Sequence, residues 1–191
     1  MSFSVLFVCT GNICRSPIAE RLFRSRVDTA APVVSSSAGV NGLAGHPMDG
    51  PSAEALRELG GDPQGHVAQR LRAGQAAAAD LILTAEVSHR SVIVQSEPLA
   101  FRRAFTLREF GRLGAGLGPL AGAPTVQELR TRVAAVARQR GLVVSVAPGD
   151  DDIADPFRAP ADVARIVGSQ VSDAVDAIIA VLGLARDPAA Y

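Results

Sequence analysis

Lysine is absent from this sequence, and all nineteen basic residues are arginine. This absence excludes two chemistries that depend on a lysine amine: phosphate binding by the P-loop of nucleotide hydrolases, and Schiff-base formation with pyridoxal phosphate. Nineteen acidic residues balance the arginines, so no overall field would attract the protein to nucleic acid or to an anionic membrane. We therefore expect no nucleic-acid partner, and any site for an anion must be local.

Histidine and cysteine are also scarce, with three histidines and two cysteines in the chain. Neither the HxxxH nor the CxxC spacing of common zinc sites occurs. The sequence thus predicts no metal ion and no other cofactor. Cys9 and Cys14 are five positions apart. In a reducing compartment such a pair is more typical of thiol chemistry than of a structural disulfide, the alternative being an inert buried pair.

No apolar run is long enough to cross a membrane. The first run, residues 3–9, has no basic segment before it and is followed by turn-forming residues, so it does not read as a signal peptide. Residues 171–184 are interrupted by three polar side chains, whereas a spanning helix needs roughly 18 uninterrupted apolar residues. We expect a soluble, cytoplasmic protein without membrane insertion; its oligomeric state is not predicted.

The length of 191 residues, 48% of them hydrophobic, predicts a single domain over residues 1–191. Short β-branched or apolar runs alternate with longer amphipathic segments, which is typical of a parallel sheet covered by helices, so the predicted fold class is α/β. The predicted strands are residues 3–9, 33–36, 81–84 and 103–107. The predicted helices are residues 16–28, 52–59, 125–140 and 160–182, with a further Ala-rich helix before the third strand. On the last helix we expect these side chains to face the core: Val163, Ile166, Val167, Val171, Val175 and Ile178.

Residues 111–124 are rich in Gly, Ala, Leu and Pro, which predicts a flexible surface loop ahead of the helix at 125–140. We interpret residues 111–141 as an insertion into the domain.

The most informative segment joins the first strand to the first helix. It places Cys9 at the carboxyl end of a strand and Arg15 at the start of a helix. Ligands of open α/β sheets bind at the carboxyl ends of strands, and a helix N-terminus offers unpaired amides to an anion. Gly11 and Asn12 tolerate the backbone angles that turn successive amides towards one centre. We expect an oxyanion cradle in which Cys9 is held as a thiolate and Arg15 grips two oxygens.

The spacing of Cys9 and Arg15 alone is weak support, because a buried cysteine and a surface arginine would give the same pattern. A wider resemblance adds to it. Residues 5–21, with Cys-Thr-Gly-Asn-Ile-Cys-Arg-Ser-Pro at their centre, resemble the phosphate-binding signature of low-molecular-weight protein-tyrosine phosphatases and of arsenate reductases with the same fold. Further segments resemble that family in the same order along the chain: residues 37–39, 66–71, 81–90 and 152–157.

The resemblance covers the chain apart from residues 111–141 and implies a three-layer sandwich, with a four-stranded parallel sheet and the phosphate-binding loop after the first strand. It implies hydrolysis of phosphotyrosine on a phosphorylated protein through a phosphocysteine intermediate. Cys9 would attack phosphorus, Arg15 would bind the phosphoryl oxygens, and Asp155 would act as general acid. The phosphate-binding loop would comprise Thr10, Gly11, Asn12, Ile13, Cys14 and Arg15. The supporting residues would be Asn12, Ser16, Ser37 and His66, with Ser16 assisting the thiolate.

Several alternatives stay open at this point. Asp155 follows three other aspartates, and such a run is commonly a solvated turn. Cys14 is either a small core residue or, as in some family members, the partner of a reversible disulfide with Cys9. The substrate slot would contain Phe157 and Arg158, but the aromatic residues that tyrosine-directed members carry in residues 40–48 and at position 158 are missing.

Two other functions also stay open. Arsenate reduction would require an external low-molecular-weight thiol, because no cysteine follows Cys14. A non-catalytic phosphoprotein-binding module is the second, although the joint presence of Cys9, Arg15 and Asp155 argues against it.

Overall fold

The computed structural model describes residues 2–120, 122–144 and 146–185 and contains one four-stranded parallel sheet in the order β2-β1-β3-β4. The strands are β1 (Phe3–Cys9), β2 (Val33–Gly39), β3 (Leu81–Thr84) and β4 (Ala104–Thr106). The helices are α1 (Arg15–Arg26), α2 (Gly50–Glu58), α3 (Gln75–Ala78), α4 (Val87–Ser96), α5 (Leu107–Gly114), α6 (Val126–Arg138) and α7 (Ala161–Leu182), with a 3-10 turn at Pro98–Arg102. The predicted α/β class and its four strands are confirmed.

Helices cover both faces of the sheet, so the fold has three layers. Phe3, Val5 and Phe7 of β1 pack in the larger core with residues of α1, α2, α5, α6 and α7. The alternate residues Leu6 and Val8 pack in a smaller core with residues of α3, α4 and the 3-10 turn. Because β1 is buried on both faces, its sequence is an almost continuous apolar run.

Two helices begin with a sequence signal that the structure reproduces. Thr106 at the start of α5 and Thr125 at the start of α6 each accept a hydrogen bond from the backbone amide of the glutamate three residues later. The glutamates, Glu109 and Glu128, bond back to the threonine backbone, which completes a capping box at both helices.

The predicted surface loop at residues 111–124 is wrong over its first four residues. Residues 111–114 form the end of α5, and both Gly111 and Gly114 are buried against α7. A Cβ atom on Gly111 would lie 2.9 Å from Ala177 Cβ, and one on Gly114 would lie 2.5 Å from Val181 Cγ1. These glycines therefore serve a close approach of two helices rather than a flexible loop.

The predicted inner face of α7 is confirmed at Val167, Val171, Val175 and Ile178, all of which are buried. It is wrong at Ile166, which is 58% exposed, while Val163 is half-buried. The buried stripe begins instead at Ala164, so residues 163 and 166 fall beside it. In the part of the chain that the structure describes, every helix is too short or too polar to cross a membrane.

Candidate active site

The cysteine at the end of β1 lies where the parallel strands and the first helix meet. Cys9 is buried, and its Sγ accepts a hydrogen bond from the backbone amide of Asn12 at 3.3 Å. Ser16 Oγ, in the first turn of α1, lies 3.0 Å from the same sulfur. An amide that donates to the sulfur, with a hydroxyl in contact beside it, is an arrangement suited to a thiolate, which is the nucleophilic form of cysteine.

The loop after Cys9 is held by Asn12, which is fully buried and has a positive φ of 57°. Its Nδ2 donates to Ser16 Oγ and to Ser37 Oγ, both at 2.9 Å, and its Oδ1 accepts from the Gln69 backbone amide at 2.9 Å. Its carbonyl oxygen lies 2.8 Å from His66 Nε2. These bonds offset the cost of the left-handed backbone and fix the loop in one shape.

His66 and Ser37 belong to this support. Burial lowers the pKa of His66 below its ordinary value, which favours a neutral ring. Because a carbonyl oxygen only accepts, Nε2 of His66 carries the proton that binds Asn12. Ser37 in turn donates to Glu20 Oε2 at 2.6 Å while accepting from Asn12.

Gly39 on β2 is also required by the shape of the loop. A Cβ atom at this position would lie 2.4 Å from the carbonyl oxygen of Thr10 and 3.0 Å from the amide of Asn12. Any other residue would push the loop away from the strand. Residues 37–39 therefore support the loop in two ways: Ser37 accepts a hydrogen bond from Asn12, and Gly39 leaves space for the loop backbone.

The Arg15 side chain is 1% exposed and is held by partners on several segments. Nη1 donates to Glu86 and, at 2.8 Å, to the carbonyl oxygen of Ile153. Nη2 donates to Thr10 Oγ1 at 3.2 Å and forms an ion pair with Asp155 Oδ2 at 2.9 Å. Burial opposes ionisation of Glu86, but the hydrogen bonds from Arg15 and Ser88 lower its pKa below the ordinary value. Nη1 is thus anchored by Glu86 and Ile153, whereas Nη2 faces the loop that follows Cys9.

The four aspartates between residues 150 and 155 differ in the groups that they contact. Asp152 accepts from the amide of Val87 at 2.7 Å, and Asp151 is paired with Arg112. Asp150 accepts from the amide of Ala147 at 3.1 Å. Only the fourth carboxylate of this run, Asp155, contacts Arg15, so the first three aspartates shape the loop and bring the fourth to the site.

Cys9, Arg15 and Asp155 line one cavity of about 180 Å³. Thr10, Gly11, Ile13 and Cys14 also line it, whereas Asn12 lies behind the loop and holds it. The apolar walls are Leu43 and Phe157, which are 40% and 42% exposed. Arg158 lies outside this lining; its backbone has a φ of 62° and its guanidinium covers the Phe157 ring at 5.1 Å.

Cys14 is buried beside Ile13 and Ala68. Burial raises the pKa of its thiol to about 12. Both cysteines are free thiols.

Sequence reasoning missed several residues that support the site, because they come from segments distant along the chain. They are Glu20, Leu43, Gln69, Glu86 and His89. His89 is 4% exposed, and its Nε2 lies 2.9 Å from Thr10 Oγ1. A usable signal existed for Glu86 and His89: they follow β3, and residues after neighbouring parallel strands converge at the same edge of the sheet.

Comparison with known proteins gives consistent results. Residues 4–114 match the model of the family described as low molecular weight phosphotyrosine protein phosphatase. The low molecular weight protein-tyrosine-phosphatase Etp of Escherichia coli is 44% identical over 95 residues, which cover 50% of this chain and 62% of that protein, less than two thirds of its length.

Two further relatives match over more of the chain. A low molecular weight protein-tyrosine-phosphatase of Streptomyces coelicolor is 33% identical over 162 residues, covering 82% of this chain and 79% of that protein. The structure of an arginine phosphatase from Geobacillus stearothermophilus superimposes with a TM-score of 0.67 at 27% identity, covering 92% of this chain and 90% of that one.

Proposed function

Because the chain belongs to the low molecular weight phosphotyrosine protein phosphatase family, we propose that it is a phosphoric monoester hydrolase acting on protein phosphotyrosine. The observation that carries the proposal is the meeting of the Cys9 thiol, the Arg15 guanidinium and the Asp155 carboxylate at one cavity. A phosphoryl ester needs a nucleophile, stabilisation of charge and a proton for the departing oxygen. These three groups supply one each.

In the first step, Cys9 Sγ attacks phosphorus, and the bond between phosphorus and the tyrosyl oxygen breaks. The phosphoryl oxygens take the Arg15 donor with which Asp155 pairs at 2.9 Å. The Asp155 carboxylate released in this way takes up a proton from solvent and gives that proton to the departing oxygen. The amides of the loop and the anchored guanidinium hold the equatorial oxygens in line for the attack.

In the second step, Asp155 removes a proton from water, and the resulting hydroxide attacks the phosphocysteine. The phosphorus–sulfur bond breaks, which releases inorganic phosphate and the Cys9 thiolate. Ser16 Oγ, 3.0 Å from the sulfur, and the Asn12 amide stabilise the thiolate as it departs.

The walls of the cavity favour a flat apolar group next to the phosphate. Leu43 on one side and Phe157 on the other would hold the tyrosyl ring, with Ile13 beside the loop. Arg158, which stacks on Phe157, would then face the peptide that flanks the phosphotyrosine and favour acidic sequence there.

Kinetics of two variants test Cys9 as the nucleophile and Arg15 as the group that binds the phosphoryl oxygens. Cys9→Ser should abolish hydrolysis of p-nitrophenyl phosphate, because a serine hydroxyl stays protonated in this loop. Arg15→Lys should lower kcat/KM by well over fivefold, or roughly 1 kcal/mol, because a point charge cannot replace a two-oxygen fork. Arg24→Lys, an exposed site on the same helix, is the matched control and should be silent. Near-parental activity of Cys9→Ser would remove Cys9 from the mechanism.

The role of Asp155 is tested by leaving groups of graded pKa. A tyrosyl oxygen needs a proton as it departs, whereas a nitrophenolate leaves largely unaided, so Asp155→Ala should slow phosphotyrosine peptides by roughly 10² to 10⁴ and p-nitrophenyl phosphate by less. Stopped-flow rates of the phosphorylation half-reaction isolate this step, and Asp150→Ala is the control. Equal slowing across the series would assign Asp155 to loop positioning without proton transfer.

The substrate class is tested with one peptide carrying phosphotyrosine, phosphoarginine or phosphoserine at the same position. The proposal requires the highest kcat/KM for phosphotyrosine, and this preference should fall when Phe157 is changed to Ala. A preference for phosphoarginine would keep the phosphatase chemistry and overturn the assigned substrate.

We further propose that the chain forms one domain in the cytoplasm, where Cys9 stays reduced. The insertion predicted at residues 111–141 would begin after residue 114, where both α5 and the match to the family model end. Limited proteolysis that releases residues 115–141 as a separate folded unit would contradict the single domain.

A further inference from the structure

A second cavity, of about 710 Å³, lies away from the active site. It is open to solvent and is lined by α3 and the segment before β3, by the end of the 3-10 turn, and by α6 with the residues that follow it. α3 and the 3-10 turn precede β3 and β4 and so lie at the amino ends of these strands, whereas Cys9 and Asp155 lie at the carboxyl ends. The two cavities share no lining residue among those that the structure describes.

The charged side chains that line this cavity are mostly positive. Five arginines line it against one acidic residue, Asp80. Asp80 is already engaged, because it accepts from the Ser4 amide at 2.9 Å and from Arg130 Nε at 2.8 Å. Arg140 pairs at 2.9 Å with Glu109, which lies outside the lining. Among the described residues, the positive charge left without an acidic partner is therefore that of Arg102, Arg103 and Arg138.

Two of the five arginines are free to bind. Arg103 donates to carbonyl oxygens of α3, and Arg140 donates to the carbonyl oxygens of Phe101 and Ala104 at 2.6 Å each. The side chains of Arg102 and Arg138, both exposed, have no hydrogen-bond or ion-pair partner within the described ranges. Arg102 ends the 3-10 turn and Arg138 ends α6, so they stand on two different walls.

The rest of the lining is apolar. Alanines of α3 and of α6 line it with Val133, which is buried. Phe101 is 52% exposed, and the Arg140 guanidinium lies 4.9 Å from its ring centre. An apolar surface next to unpaired guanidinium groups fits a ligand that has both an anionic group and a hydrocarbon part.

We propose that this cavity binds a small organic anion, with its carboxylate or phosphate between Arg102 and Arg138 and its apolar body over Phe101 and the alanines. Its volume of about 710 Å³ lies within the roughly 300–1,000 Å³ of small-molecule sites. One wall, α6, lies outside residues 4–114, which match the family model, and inside the proposed insertion. The inference does not depend on the proposed phosphatase activity.

Titration of the ¹⁵N-labelled full chain with 2-naphthoate, followed by amide chemical shifts, tests the site directly. Saturable shifts should map to residues 77–79 and 133–138 with a Kd of about 1 mM or tighter, an affinity that a ligand of this size reaches at ordinary efficiency. The neutral 2-naphthamide has the same shape and should bind at least about tenfold more weakly, because it lacks the charge.

Variants separate charge from shape. Arg102→Ser and Arg138→Ser should each weaken 2-naphthoate by about fivefold or more, within the range for charged hydrogen bonds, and Ala134→Trp should block the cavity while keeping every arginine. Arg24→Ser, an exposed arginine on α1, is the charge-matched control. Hydrolysis of p-nitrophenyl phosphate should be unchanged in all four variants.

Shifts confined to residues 9–15 would overturn the proposal, because the anion would then bind only at the active site. Equal affinity for 2-naphthoate and 2-naphthamide, or unchanged binding in both Arg138→Ser and Ala134→Trp, would overturn it as well.

Discussion

The hydroxyl of Thr10 joins two groups that come from different strands. It accepts from Arg15 Nη2 at 3.2 Å and lies 2.9 Å from His89 Nε2. Burial lowers the pKa of His89, which favours a neutral ring whose Nε2 can bond to the Thr10 hydroxyl in either tautomer. His89 would therefore position the Arg15 guanidinium through Thr10, without touching the substrate.

This role predicts a specific coupling. His89→Leu and Thr10→Val should each lower kcat/KM for p-nitrophenyl phosphate by roughly fivefold, the worth of one hydrogen bond of about 1 kcal/mol. Because both changes break the same contact, the double variant should be little worse than Thr10→Val alone. Full additivity of the two effects would exclude a role that acts through Thr10. His89→Asn, which can still accept, should restore part of the loss.

The second cysteine of the site has a thiol that ionises with difficulty. After peroxide converts the Cys9 thiolate to a sulfenic acid, Cys14 can displace water from it and form a disulfide. Attack needs the Cys14 thiolate, and burial raises the pKa of this thiol to about 12. Formation of the disulfide should therefore be slow at pH 7 and should accelerate about tenfold per pH unit.

A disulfide with Cys14 would protect Cys9 from further oxidation, and recovery of activity measures this protection. After a brief peroxide treatment, dithiothreitol should restore the parent protein, whereas Cys14→Ser should lose activity permanently as Cys9 oxidises further. The difference should grow from pH 7 to pH 9. Equal recovery of both proteins would show that Cys14 only packs against Ile13 and Ala68.

At the scale of elements, α5 and α7 pack closely because α5 carries glycine at two contact positions. Gly114→Ala would add a Cβ at 2.5 Å from Val181 Cγ1. Although alanine favours a helix, this overpacking should lower the free energy of unfolding by about 1–3 kcal/mol. Val181→Ala should offset part of that loss in the double variant.

Urea unfolding monitored by circular dichroism measures these differences. Gly50→Ala is the matched control, because Gly50 also lies in a helix but has open space around it, so the change should be neutral or slightly stabilising. A Gly114→Ala protein as stable as the parent would mean that α5 and α7 can separate at little cost.

At the scale of the whole molecule, two buried histidines make stability depend on pH. Burial lowers the pKa of both His66 and His89 in the folded protein. The charged groups facing them are Glu20 and Arg21 for His66, and Arg15, Glu86, Asp152 and Asp155 for His89. The unfolded chain, with histidines near pH 6.5, binds more protons, so this stability is present above about pH 6.5 and is lost as the pH falls through the folded values.

The free energy of unfolding from urea titrations should therefore be nearly constant above pH 7 and should fall below about pH 6.5, by at most about 1.4 kcal/mol per pH unit for each histidine. His66→Asn and His89→Asn should each reduce that slope. His46→Asn, at an exposed position, should leave it unchanged. Loss of stability only below pH 4.5 would assign the effect to carboxylates such as Glu86, whose pKa is also lowered.

The sequence by itself determined those features whose causes are local. Residues 3–9 were predicted as a strand because a parallel strand buried on both faces needs a continuous apolar run. The placement of Cys9 and Arg15 across one loop could be predicted because the whole loop lies in contiguous residues, with Asn12 able to adopt the positive φ it requires. The helix predicted at residues 125–140 is present as α6, and its start is stabilised locally by the capping box of Thr125 and Glu128.

Only the tertiary structure decided which distant residues complete the site. Glu86 and His89 reach Arg15 and Thr10 because the sheet order places β3 beside β1, and that order depends on packing over the whole chain. The same reason explains the glycine-rich residues 111–114, whose composition suggests a loop but whose small size lets α5 press against α7. Local preference sets the conformation of short segments, whereas contacts between segments many residues apart exist only once the core has formed.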